Sequence, residues 1–180
     1  SYDAEFTELD RMTADMGGHA EKLLSDAFQA LEKRDTALGE LAAASDRQID
    51  DLERRLQDRA IHMIAKRQPM ANDLRHIMTV LKIAGDLERI GDLAKNMAKR
   101  GIALAGESHP RPLMNGLKHM TELARRQLKD VLDALAANDP ERAIAVWRGD
   151  ERLDELYNSV FRELLTYMME DPRNIGLCTH

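Results

Sequence analysis

SDRQIDDLERRL, residues 45–56, returns 104 positions later as GDERLDELYNSV, residues 149–160, so that Asp46 and Asp50 are matched by Asp150 and Asp154. The register extends well beyond these two stretches. Met16, Ala30, Leu31, Asp35 and Leu52 recur as Met120, Ala134, Leu135, Asp139 and Leu156, and Ile49, Leu56 and Ile61 have apolar counterparts in Leu153, Val160 and Leu165. Caps, helix lengths, apolar phase and acidic pairs agree in one alignment. The chain therefore reads as two copies of one supersecondary unit.

Breakers are rare and widely spaced, which predicts long helices. The first is expected from Asp3 to Arg34, with Gly17 and Gly18 as a weak point, and Asp35 caps a second that runs to Lys66. Pro69 is placed in the first turn of a third helix ending near Ala105. Gly106 to Pro112 is the linker. A fourth helix is expected over Leu113–Ala137. Asn138-Asp139-Pro140 then opens a fifth that runs to Glu170, its cap standing where Asp35 stands in the first unit. Long helices joined by short turns pack as antiparallel neighbours, so the expected architecture is all-α, two tandem three-helix bundles over 1–106 and 111–180. Leu177 to His180 align with Leu74 to Ile77, so the second bundle is expected to be truncated, stopping within its last helix.

Composition sets outer limits on function. Of 180 residues only 4% are aromatic, a mix that favours helix over sheet. The net charge of -6 lacks the excess of Lys and Arg that phosphate backbones demand, so no nucleic-acid partner is expected. No apolar run reaches the length of a membrane span, and Ser1 to Asp10 does not resemble a secretion signal. With Cys178 as the single cysteine, a cytoplasmic, reducing compartment is expected, and that thiol reads as an ordinary small apolar residue.

The chemistry lies in acids spaced by one helical turn. Asp46 and Asp50 share a face of the second helix, as Glu88 and Asp92 do on the third. Such a pair usually marks a solvated surface. Here, however, Asp46 and Asp50 border the stripe of Ile49, Leu52 and Leu56, and Glu88 continues a stripe that is apolar at Ile77 and Leu81 two turns earlier. Carboxylates at the edge of a buried seam need a cation. Four acids on neighbouring helices offer hard oxygen ligands, which suit magnesium, calcium, manganese or iron better than a thiolate-preferring metal; iron, manganese or magnesium is expected ahead of zinc. A purely local reading of the first pair is that Ser45 and Gln48 form a capping box restarting the second helix.

DLERIGDLAKNMA (86–98), RQPMANDLRHIM (67–78) and MMEDPRNIGLCTH (168–180) strongly resemble the PhoU family of phosphate-uptake regulators. That resemblance implies tandem three-helix bundles binding multinuclear metal clusters through paired E(D)-x-x-x-D motifs. On this sequence it implies a first metal site of Asp46, Asp50, Glu88 and Asp92, with Asn96 one turn on. It also implies a second site built from Asp150 and Asp154, whose partner motif would fall beyond His180. It further implies a non-enzymatic negative regulator of the phosphate-starvation response that couples a phosphate ABC transporter to a sensor histidine kinase, as a homodimer.

Two other classes stay open at this point. A metal-free helical scaffold would leave the acids as solvated surface. A carboxylate-bridged di-iron enzyme needs Glu-x-x-His-type motifs on two helices, whereas Asp73 to His76 is the only acid-x-x-His here and its counterpart, Gly176 to Thr179, has neither group. His62 and His76 read as bundle histidines with satisfied partners. Trp147, Tyr157, Phe161 and Tyr167 read as core or bundle interface, and Lys95 to Arg100 as a solvated helix face.

Overall fold

The computed structural model of the chain describes residues 2–106, 110–137 and 139–148. All regular elements among them are helices: α1 (Tyr2–Lys33), α2 (Thr36–Arg67), α3 (Ala71–Ala103), α4 (Arg111–Ala136) and α5 (Pro140–Arg148). The remainder of the expected fifth helix lies outside the described residues, as do Asp150 and Asp154.

The α1–α2 turn is built by local chemistry. Arg34 takes a left-handed φ of 54°, which lets the Asp35 amide donate to the Ala30 carbonyl at 2.9 Å. The Asp35 carboxylate then accepts from the Leu38 amide at 3.0 Å and opens α2. The second unit repeats both hydrogen bonds at the equivalent positions. The Asp139 amide donates to the Ala134 carbonyl at 2.9 Å, and its carboxylate accepts from the Arg142 amide at 3.0 Å. Pro69 does not enter α3 as expected: Gln68, with φ 44°, closes α2, and Met70 is the N-cap of α3. A proline in the connection removes no helical hydrogen bond. The Ser45 capping box does not form either, because α2 is continuous there and the Ser45 hydroxyl donates to the Ala42 carbonyl.

Buried positions recur every seven residues: Leu9, Met16, Leu23 and Ala30 on α1; Ala42, Ile49, Leu56 and Met63 on α2; Ile77, Ala84, Gly91 and Ala98 on α3. A seven-residue repeat keeps one seam of each helix turned toward its neighbours, as in a coiled coil. Each large side chain fully buried there contributes about 1.5–3 kcal/mol of transfer free energy. The seams of α1, α2 and α3 form one core, which Leu128, Val131 and Ala134 of α4 join.

Gly17 and Gly18 are not a weak point; α1 runs through them unbroken. A Cβ on Gly17 would lie 2.4 Å from Leu132 Cδ1, so this glycine is where α4 comes up against α1. One turn further on, Arg125 Nη2 meets Glu21 Oε1 at 3.3 Å. Contacts that ascend α1 while descending α4 make the two helices antiparallel. Glu21 and Arg125 are equivalent positions of the repeat, 104 apart, so α1 and its counterpart α4 meet at matching points of their length.

Candidate metal centre

Because α2 and α3 run antiparallel from the turn at Pro69, the middle of α2 faces the middle of α3. That pairing puts Asp46, Asp50 and Glu53 of α2 opposite Glu88, Asp92 and Lys95 of α3. Asp46 sits deepest, its side chain 2% exposed. Its Oδ2 accepts from Lys95 Nζ at 3.3 Å, while its Oδ1 is buried and has no hydrogen-bond partner. Across from that oxygen stands Gly91, where a Cβ would come within 3.0 Å of Oδ1 and 2.9 Å of Ile49 Cδ1. Any side chain at this core position of α3 would crowd the Asp46 carboxylate and Ile49 in the seam.

The neighbouring acids feel one another. Burial raises the Asp50 carboxyl above its ordinary value, and the charges of Asp46 and Asp92 raise it further, against the pull of Lys95 and Arg54. Burial, then Asp50 and Asp92, raise Glu53. Glu88 is raised by burial and by Asp92, Glu53, Asp50 and Asp46 together. Five carboxylates thus share one field with Lys95 as the cation placed directly on the innermost of them.

The donor set suits a hard cation: it is oxygen-only, it carries excess negative charge, and its most buried oxygen has no partner. As the side chains stand, no three such donors among the described residues converge tightly enough to hold an ion. Asp46, Asp50, Glu88 and Asp92 are therefore brought to one region and couple electrostatically without forming a closed cage. Asn96 is exposed.

Two further residues belong to the site. Glu53 follows Asp50 by three residues and Asp46 by seven, a spacing that returns to the same face, so helical arithmetic was enough to find it. Lys95 lies in a run whose pattern reads as a solvated face, yet it reaches back to Asp46; its offset of seven from Glu88 is the signal in the sequence. Among the histidines, His76 has the expected partner, with Nε2 2.7 Å from Asp10 Oδ1 and its ring beside Phe6. His62, by contrast, is exposed, because it falls on the face of α2 that points away from the core.

Comparison with known proteins places the chain in a family. The PhoU domain family matches residues 13–101 and again residues 117–177. The chain belongs to the PhoU family. A phosphate-specific transport system accessory protein PhoU homolog of Rhizobium meliloti (strain 1021) is 53% identical over 180 residues, covering 100% of this chain and 76% of that protein. The accessory protein PhoU of Escherichia coli (strain K12) is 35% identical over 174 residues, with 97% and 72% covered. The crystal structure of PhoU from Pseudomonas aeruginosa superposes with a TM-score of 0.90 at 36% identity, covering 99% of this chain and 86% of that one. A PhoU structure from Streptococcus pneumoniae, described as a phosphate transport system regulatory protein, gives 0.81 at 25% identity, with 95% and 80% covered. The Rhizobium and Escherichia relatives are named as accessory proteins and the Streptococcus one as a regulatory protein, in keeping with the non-enzymatic reading. No helix among the described residues is long and apolar enough to cross a membrane.

Proposed function

We propose that this chain is a cytoplasmic accessory protein of a phosphate-specific transport system, coupling a phosphate ABC transporter to a sensor histidine kinase. In this reading it restrains the phosphate-starvation response when phosphate is plentiful, and it acts as a homodimer that binds its partners through helix faces. Similarity at 53% identity over the whole chain to a protein named for that system carries the reading. In a cell lacking its own PhoU protein, this chain should restore repression of a starvation-responsive reporter in high phosphate. A reporter that stays fully on, with the protein present and folded, refutes it.

Within that role, metal ions on Asp46, Asp50, Glu88 and Asp92 neutralise the acidic seam and clamp α2 to α3, with Glu53 at its edge. Iron, manganese or magnesium supplies the positive charge. The unpartnered Asp46 Oδ1 supports this assignment. Asp150 and Asp154 are proposed as the second unit's share of an equivalent site. Elemental analysis of protein purified without chelator, beside a Glu88→Ala, Asp92→Ala double variant, tests the first site. Metal in the wild type that disappears in the variant is the expected result, and equal emptiness of both sinks it.

A second reading is favoured by one observation, that the donors do not converge among the described residues. It is a metal-free helical adaptor in which Lys95 alone neutralises Asp46. Equal emptiness in the elemental analysis, with reporter repression intact, is what that reading requires.

A further inference from the structure

We propose that Lys95 is a tethered counter-ion of the acidic seam, occupying Asp46 when no metal is bound and giving way when a divalent cation arrives. The inference rests on the metal reading of this site and adds a means of regulating it.

The two oxygens of Asp46 are treated differently. Oδ2 holds Lys95 Nζ at 3.3 Å; Oδ1, equally buried, faces Gly91 and has no partner. A carboxylate with one oxygen neutralised and one bare is half-satisfied. The bare oxygen can still take a cation, but any ion there would share the carboxylate with an ammonium group. Two cations on one carboxylate in a seam shielded from water repel strongly.

Lys95 is suited to leave. Its side chain is 32% exposed against 2% for Asp46, so the ammonium lies at the mouth of the seam and its four-carbon stem can carry it into water. Arg54 is no substitute, because it is exposed and pairs with Asp51 on the outer face of α2. In the metal-free protein Lys95 therefore bridges α3 to α2 and limits the repulsion among the acids. Metal must displace it, so the lysine lowers metal affinity and makes occupancy depend on the free concentration of the ion.

Manganese(II) binding to the full chain, followed by the electron paramagnetic resonance signal of the free ion, tests this with wild type, Lys95→Met and Lys95→Arg. Methionine keeps the stem and removes the charge. Lys95→Met should bind manganese about tenfold tighter than wild type, since a competing positive charge is gone from Asp46. Lys95→Arg should bind no tighter than wild type. Without metal, Lys95→Met should melt below wild type, so manganese raises its Tm by more. Equal or weaker binding by Lys95→Met overturns the proposal and leaves the metal site standing. Absence of binding in all three proteins removes both.

Discussion

Glu88→Gln, in protein stripped of metal, removes one charge from the acidic seam and keeps the size of the side chain. Glu88 faces Asp92 one turn along α3, and Glu53, Asp50 and Asp46 act on it across the interface. A like-charge pair one turn apart on a helix costs about 0.2–0.5 kcal/mol. Adding the three acids across the seam, discounted for solvent screening of a half-buried side chain, brings the total to about 0.5–1 kcal/mol. The variant should therefore be more stable than wild type by that amount at pH 7, with Tm higher by roughly 1–4 °C. The pH dependence has a definite sign. The Glu88 carboxyl is raised in the folded protein, so the native state holds its proton more tightly than the unfolded chain does. Its penalty is complete above the native value and vanishes as pH falls below the unfolded value of about 4.3. Urea denaturation in chelator, stepped from about pH 8 to about pH 4, reads the difference between the two proteins. A gap that closes toward low pH supports a strained, under-neutralised cluster. A variant less stable than wild type at pH 7, or a gap independent of pH, refutes the reasoning.

Other substitutions separate packing from charge. Gly17→Ala should destabilise by about 1–3 kcal/mol and loosen α4 from α1, because the new Cβ would collide with Leu132, whereas Gly18→Ala, which meets nothing within 4 Å, should stabilise by roughly 0.5–1 kcal/mol; thermal melts of the two side by side check the contrast. Gly91→Val should cost at least about 1–3 kcal/mol, since it intrudes on Ile49 and Asp46 together, and unchanged chemical denaturation would show that Asp46 does not lie in the seam as described. Asp35→Ala should cost about 1 kcal/mol in urea denaturation through loss of the Leu38 cap, and Asp35→Asn should recover most of it. Asp10→Ala should cost about 1–3 kcal/mol by leaving His76 without its partner, and a cost within error of zero would count against that pair.

Most of the helical organisation was legible because it depends on local chemistry. Asp35 and Asp139 cap helices wherever they occur at those offsets, and seven-residue apolar spacing marks a buried seam before any partner is known. Helix ends were displaced by a few residues where backbone conformation decided them, as at Gln68 and Pro69. Gly17 illustrates the opposite case. Within its own helix a glycine looks like a defect, and its value is visible only once Leu132, far along the chain, is seen against it.

The acidic site divides in the same way. Its members on each helix follow from the pitch of an α-helix, which returns a side chain to the same face after three, four or seven residues, so Asp46, Asp50, Glu88 and Asp92 could be named from spacing alone. Depth could not. Spacing treats the two aspartates of α2 alike, yet Asp46 is sealed in the seam while Asp50 is half-buried, and Lys95 belongs to the site and not to the surface run. Those differences arise from the register of α2 against α3 and from the missing side chain at Gly91. Neither is a property of any one helix: burial and charge pairing are set by what lies across the interface, and only the folded chain brings the two sides together.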